Sequence, residues 1–451
     1  MDRRNFIGNM AAAPLFLQGG RKLSNIIYLH SHDTGRFIQP YGHAVPTPNL
    51  LKLATEGILF RNAFSGAPTC SPSRAALLTG QPAHTSGMLG LAHRGFALHD
   101  YNQHLLHTLR SAGYYSALCG VQHIARDPKT IGYDEVIPVR NMHAVNVAPP
   151  AINFLKNPPK QPFYIEIGFQ ETHRPFAEPG PKEDVRFCLP PPTVPDDPET
   201  RLDIASFKAT ARIMDDAVGA ILNQVAASGL ADNTLIISTT DHGIAFPAMK
   251  CNLTDQGWGV SLIMRGPGGF NGGKVCDAMI SHVDLYPTIC ELLNIERPAW
   301  LTGKSIMPVI RGEAKEINDQ VFAEVTYHAA YEPQRAVRTS RYKYIRHFGG
   351  RKTPVLPNCD DGPSKSLWLS YDWKHQPVVE DRLYDLIFDP LEHNNLAADA
   401  AHKPTLDDLR GRLDHWMKAT ADPLLKGPVP LPPGAVANDP DGISPQEKPG
   451  A

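Results

Sequence analysis

Asn25-Ile26-Ile27-Tyr28-Leu29, running directly into His30-Ser31-His32-Asp33, is the stretch from which the rest of the chain can be read. A short apolar run without polar alternation suits a strand buried on both faces, and such strands belong to parallel sheets covered by helices. Phe163 to Phe169, Thr234 to Ser238 and Tyr114 to Leu118 have the same texture. Each is followed by polar residues: Glu171 to Arg174, Asp241-His242 and Gln122-His123 respectively. In open parallel sheets ligands collect beyond the carboxyl ends of the strands, so these segments are the candidate site.

Helical patterns separate the strands. Asn49 to Glu56 is one, and Gln103 to Ala112, stopped by Gly113, is another. From Leu202 to Ser228, Ile204, Phe207, Ala211, Met214, Val218, Leu222 and Val225 recur at three- and four-residue steps, which predicts one long helix with an apolar stripe, ended by Gly229. The alternation predicts an α/β fold, a mostly parallel sheet sandwiched by helices, over residues 21–317. From about Asn318 the texture changes. Val321 to Thr326 and Arg335 to Arg346 read as strands, and Thr405 to Lys418 reads as a helix presenting Leu406, Leu409, Leu413 and Trp416. A smaller α+β domain with an antiparallel sheet is expected over 318–423. Residues 424–451, with Pro428, Pro430, Pro432 and Pro433, read as an extended arm or a disordered end.

A chain of 451 residues suits one large α/β domain with a smaller companion. A formal net charge of −2 gives no basic excess, so neither nucleic acid nor an anionic membrane is indicated as a partner. The seven cysteines form no CxxC pair, which argues against a zinc ribbon or a thioredoxin-like site. Arg3-Arg4-Asn5-Phe6-Ile7 and the apolar run Gly8 to Leu17 resemble a twin-arginine export signal over residues 1–20. That implies a periplasmic or secreted protein, and the run is too short for a permanent membrane span.

The most specific chemistry lies in Cys70-Ser71-Pro72-Ser73-Arg74, followed by Leu78-Thr79-Gly80. Read singly, Cys70 is a small hydrophobe and Pro72 and Ser73 suit a helix start. Read together they resemble the signature of type I sulfatases of the alkaline phosphatase superfamily, in which the cysteine is oxidised to formylglycine. Asn25 to Asp33, Thr47 to Leu50, Gly57 to Phe64, Gly120 to His123, His173-Arg174, Thr240 to Gly243, Leu383 to Asp385 and Asp389-Pro390 extend the resemblance over roughly Ser24 to Pro423. Within that family the likeness is greatest to the heparan N-sulfatases, on Gly87-Met88, Gly90-Leu91, Phe246-Pro247, Asn252-Leu253, Glu324 to Thr326 and Ala421 to Pro423.

The resemblance implies a hydrolase acting on sulfuric esters or sulfamates of a sulfated carbohydrate, with an N- or O-sulfated glucosamine of heparin or heparan sulfate as substrate. It also implies a maturation enzyme that converts Cys70. Asp33, Asp241 and His242, with the modified Cys70 and with His32, match metal-ligand positions. Arg74 would orient the formylglycine, and His123, His173 and Lys250 would contact the sulfate or assist the leaving group. Glu171 and Arg174, with Glu324, His328 and Arg335 at the domain junction, are the expected saccharide contacts.

Two departures stand out. The family's Asp-Asp pair is His32-Asp33 here, and its Gly-Lys-x-His is Gly120-Val121-Gln122-His123, so one carboxylate and one ammonium are both missing. The family points to calcium as the metal, whereas imidazoles favour a softer divalent ion such as Mn2+ or Zn2+. Two other readings stay open: a phosphodiesterase or phosphonate hydrolase of the same superfamily, and a non-catalytic glycan-binding homologue.

Overall fold

The computed structural model describes residues 24–449. The twin-arginine-like segment lies outside the described residues. Eight strands form the larger sheet: β1 (Asn25–Ser31), β2 (Ile58–Phe64), β3 (Tyr115–Gly120), β4 (Glu135–Ile137), β5 (Phe163–Gly168), β6 (Thr234–Thr240), β7 (Leu262–Arg265) and β8 (Lys274–Ser281). Their order is β4-β3-β5-β1-β6-β7-β2-β8, and β7 alone runs antiparallel to its neighbours. A second sheet, wholly antiparallel and ordered β12-β11-β10-β9, contains β9 (Gln320–Tyr327), β10 (Tyr331–Thr339), β11 (Tyr342–His347) and β12 (Asp381–Asp385).

The first strand shows why the larger sheet is covered on both sides. Ile26 and Tyr28 pack with Leu77, Leu78, Leu106 and Tyr286 on one face, and Ile27 and Leu29 pack with Leu53, Leu155, Met214 and Val218 on the other. Alternate side chains of a strand point to opposite faces, so an unbroken apolar run fills two cores at once. The helix Pro198–Ala227 supplies Met214, Val218, Ile221 and Val225 to the second core, and its earlier turns bury Ile204, Phe207 and Ala211 in a third cluster.

Phe64, Leu253 and Trp258 of the larger sheet's side pack with Val321, Ala323, Val325, Ala336 and Ile345, which joins the two sheets. The far face of the smaller sheet is covered by Leu406, Leu409, Leu413 and Met417 of the helix Lys403–Ala419.

Four features differ from the sequence reading. Arg335 to Arg346 is two strands, because the Thr339 side chain accepts from Tyr342 N (2.9 Å) and closes a tight hairpin. Pro149 and Pro150 lie inside a helix, Ala144–Lys156, that their lack of N–H groups hid from a pattern reading. Strands β2 and β8 escaped notice because Arg61 and the first half of β8 face solvent, which breaks the apolar run. The Pro-rich arm lies against the body: Val429 is buried, Asn438 N donates to Ala329 O (2.8 Å), and Val436 N donates to Arg94 O (2.9 Å). Among the described residues no helix is long and apolar enough to cross a membrane.

Candidate active site

The site is built where the carboxyl ends of β1, β3, β5 and β6 meet the first turn of the helix Cys70–Thr79. Cys70 is the first residue of that helix and is buried, so unsatisfied N–H groups and the positive end of the helix dipole surround its side chain. Its Sγ lies 3.3 Å from His242 Nε2 and 4.0 Å from Asp33 Oδ1. Burial pushes the thiol well above its ordinary range, and Asp33 and Asp241 add to this against the opposing charges of Lys250 and Arg74. An unmodified Cys70 is therefore a neutral thiol and a poor nucleophile.

Asp33, His123, Ala248 and Cys251 all have positive φ, between 49° and 63°, although none is glycine. Strain of this kind persists where surrounding contacts over-determine the backbone. Asp33 shows such contacts: its N–H donates to Asp241 Oδ1 (2.8 Å), and its Oδ2 accepts from Lys250 Nζ (2.8 Å).

Arg74 is held from three directions. Its Nη2 donates to Asp241 Oδ2 and to Ser31 O, each at 2.9 Å, and its Nη1 bonds to His30 Nδ1. His30 Nε2 in turn meets Glu166 Oε1 at 3.0 Å, and Glu166 Oε2 accepts from Tyr133 (2.6 Å) and Tyr164 (3.1 Å). The carboxylate fixes the His30 ring with its proton on Nε2, which leaves Nδ1 to accept from the guanidinium.

His32, Asp33, Cys70 and Asp241 each offer one ligand atom, and these atoms lie within 4.8 Å of one another. His32 Nδ1 is 3.2 Å from Asp241 Oδ2 yet out of line for a hydrogen bond, a buried nitrogen without a partner. His242 Nδ1 bonds to Gly243 O (3.0 Å), which turns Nε2 toward Asp33 Oδ1, 3.4 Å away. Burial would raise the Asp241 carboxyl, but His242 and the Arg74 guanidinium beside it hold it well below the usual range. Burial pushes His32 and His123 well below the ordinary imidazole value, so both rings are neutral.

Lys250 is buried between Asp33 Oδ2 (2.8 Å) and Asp360 Oδ2 (2.7 Å), with His173 Nε2 at 3.4 Å. Burial works against its charge, yet the two carboxylates outweigh burial and keep it an ammonium. Three carboxylates (Asp33, Asp241, Asp360) thus face two cations (Arg74, Lys250), so the charge balance favours a further cation. The donor set fits a divalent metal ion. Beside these groups lies a cleft of about 590 Å³ whose wall carries His32, His93, His123, His173, Gln122 and Gln170, with Arg126 as its cationic side chain.

Residues 24–295 match the family model "Sulfatase", and residues 249–381 match "N-sulphoglucosamine sulphohydrolase, C-terminal". The human N-sulphoglucosamine sulphohydrolase is 30% identical, over 90% of this chain and 92% of that protein. The chain belongs to the sulfatase family. An ulvan-active sulfatase of Formosa agariphila is 27% identical, over 88% of this chain and 75% of that one. The fold is shared with a Bacteroides thetaiotaomicron crystal structure described as a candidate sulfatase, with a TM-score of 0.72, 23% identity and coverage of 95% of this chain and 100% of that chain.

In this sulfatase-family chain, Cys70, Arg74, Lys250, Asp33, Asp241, His242, His32, His123 and His173 converge. Of the five expected saccharide contacts, His328 lies beside this cluster, within the field of Lys250 and Asp360, and the other four turn elsewhere. The Glu171 carboxylate faces away: Oε2 accepts from Ala144 N (2.8 Å) at the start of the helix Ala144–Lys156, and Oε1 meets His143 (3.1 Å). Arg174 is tied to Asp203 (2.7 Å) and Ala245 O (2.9 Å), and lies over the Phe176 ring. Glu324 accepts from His84 N (3.0 Å), and Arg335 makes a two-point pair with Asp422 at 2.6 and 3.0 Å. Both are buried on the helix-covered face of the smaller sheet, where strand alternation puts them beside Phe322 and Val337, in a structural network with His84 and Asp422. His328 is buried with an unpartnered Nδ1, and Lys250 adds to burial in keeping it neutral.

Asp360 and His93 escaped the sequence reading. Asp360 comes from the segment after β11, far along the chain from Lys250, and no local pattern marks it. His93 lies two residues beyond the Gly90-Leu91 pair, the last position at which the motif there could be followed.

Proposed function

We propose that this protein is a sulfatase that removes sulfate from an N- or O-sulfated glucosamine at the end of a heparin- or heparan-sulfate-type saccharide. The observation that carries this reading is the placement of Cys70: first residue of a buried helix, within 4.0 Å of Asp33 and His242, with Arg74 and Lys250 supplying positive charge around it. The family, and the activities for which the human and Formosa relatives are named, support a sulfated carbohydrate as substrate.

Once Cys70 has been oxidised to formylglycine by a maturation enzyme, the aldehyde hydrate supplies an oxygen nucleophile and, through its second hydroxyl, a route to expel sulfate and restore the aldehyde. A divalent cation supplies Lewis-acid polarisation of a sulfate oxygen. Asp33, Asp241, His242 and His32 would hold that cation. Arg74, locked by Asp241, Ser31 and His30, orients the residue-70 oxygen and offsets its negative charge. Lys250 faces the sulfo oxygens, and its grip on Asp33 and Asp360 fixes it before substrate arrives, so little reorganisation is needed. His173, with Nδ1 committed to Arg174 O (2.6 Å), presents Nε2 at the mouth, where it moves protons to and from the hydrate or leaving group.

The family resemblance points to Ca2+, and the imidazoles of His32 and His242 favour Mn2+ or Zn2+. Metal analysis of purified protein distinguishes the three. The twin-arginine-like start supports export to the periplasm or beyond, carrying a Cys70 already modified in the cytoplasm, and signal-fusion assays test it. Activity is tested with protein co-expressed with a maturation system. Peptide mass spectrometry should find an aldehyde at residue 70, and free sulfate should be released from defined heparin disaccharides. A thiol at residue 70 in matured, active protein would overturn the chemistry, and turnover of aryl sulfates alone would overturn the glycan assignment.

A further inference from the structure

We propose that Lys365 is a positioning residue: it fixes the segment that carries Asp360, and through Asp360 it places the Lys250 ammonium in the site. The purpose of this arrangement rests on the sulfatase reading, and its geometry does not. Lys365 is 2% exposed and is the third residue of the helix Pro363–Ser370. Burial disfavours an ammonium, and so does the positive end of a helix dipole. Its place is explained by what it holds. All three of its donors are engaged, with Nζ donating to Cys359 O (2.7 Å), Asp361 Oδ1 (2.8 Å) and Ile443 O (2.7 Å).

The first two acceptors flank Asp360, whose Oδ2 accepts from Lys250 Nζ at 2.7 Å. The third belongs to the docked C-terminal arm. Ser444 of the same arm bonds to Asp361 Oδ2, so the segment is gripped from the arm twice. On its other side Ser364 N donates to Asp203 Oδ2 (3.2 Å), the oxygen that also accepts from Arg174 Nη2 (2.7 Å). Arg174 follows His173, so Asp203 ties the Asp360 segment to the strand end that bears His173.

Lys250 takes its position from the groups around it. Ligand atoms of Asp33, His173 and Asp360 lie within 4.8 Å of one another, and the ammonium meets all three, at 2.8, 3.4 and 2.7 Å. With the Asp360 segment loose, Asp33 alone would direct the charge, and the ammonium would turn toward the metal ligands and away from the sulfo oxygens. A displacement of about 1 Å at such a group can lower turnover by about a hundredfold.

In matured, metal-loaded protein, Lys365→Met keeps the length of the side chain and removes its three donors. It should lower kcat/KM by roughly tenfold or more. Asp361→Ala removes one anchor from an exposed position, leaves the fold intact and should lower kcat/KM by about threefold. In an Asp360→Ala background neither change should alter kcat/KM by more than about twofold, because no carboxylate is left to place. Calorimetric titration of the same proteins with inorganic sulfate should show the same pattern, with weaker binding only where Asp360 is present. The proposal is overturned if either variant loses the same factor with and without Asp360, which is the signature of a merely structural role, or if folded Lys365→Met protein is as active as wild type. Should Lys365→Met fail to fold, Asp361→Ala carries the comparison. A wild type that releases no sulfate defeats the sulfatase reading instead, and the sulfate titrations still decide the role of Lys365.

Discussion

Replacing Lys250 by methionine separates two roles that the structure gives one side chain. The ammonium is 1% exposed and bridges Asp33 (2.8 Å) and Asp360 (2.7 Å), whose side chains are 0% and 15% exposed. Methionine keeps most of the volume and leaves the two carboxylates facing each other. Removing one partner from a buried ion pair costs about 3–5 kcal/mol, because the remaining charge is uncompensated. Adding Asp360→Asn removes one of the two stranded charges, and the double variant should recover about half of that loss. Catalysis should not follow. Without a cation against the sulfo oxygens, kcat/KM should fall by roughly 10²–10³ in both variants, equivalent to about 3–4 kcal/mol. Denaturant unfolding of metal-loaded protein reads the first quantity, and sulfate release from a glucosamine N-sulfate reads the second. If activity returns in step with stability in the double variant, or if Lys250→Met alone stays within tenfold of wild type, Lys250 merely neutralises its neighbours and the catalytic assignment is wrong.

Arg335→Met breaks the buried pair with Asp422 on the helix-covered face of the smaller sheet and should cost about 3–5 kcal/mol in unfolding free energy while leaving KM unchanged; a rise in KM without loss of stability would return Arg335 to the saccharide pocket. Glu171→Gln removes a charged helix cap and should cost about 1 kcal/mol with KM altered less than about threefold, whereas a tenfold rise would show that the carboxylate reaches the sugar. Glu332 is pushed up to about 7 by burial, against the bond from Asn358. Because its folded pKa exceeds the unfolded value near 4.5, its stabilising contribution is complete below that pH and is lost as the pH rises through 7. Calorimetry from pH 5 to pH 9 should therefore show Glu332→Gln gaining on wild type as pH increases, and a constant difference would contradict this.

Four of the larger sheet's eight strands, β1, β3, β5 and β6, were legible because they are short unbroken apolar runs, and the ends of those runs named Asp33, His123, His173, Asp241 and His242 together. Cys70 and Arg74 were legible for another reason: a dense motif of fixed residue types. Glu171 and Arg335 show the limit. A carboxylate or guanidinium placed near a site by sequence position can turn either way, and here each turned to satisfy a buried partner, Ala144 N–H or Asp422. Asp360 and the His93–His123 pair were invisible because each contact joins residues brought together only by folding.

By itself the sequence determined which groups were available: a cysteine in a dense motif, acids and imidazoles able to hold a metal, and the strands that carry them to one sheet edge. Only the tertiary structure decided how those groups are used. Burial makes every polar atom find a partner, and the choice of partner, Asp360 for Lys250 or Glu166 for His30, sets the charge, tautomer and direction of each side chain.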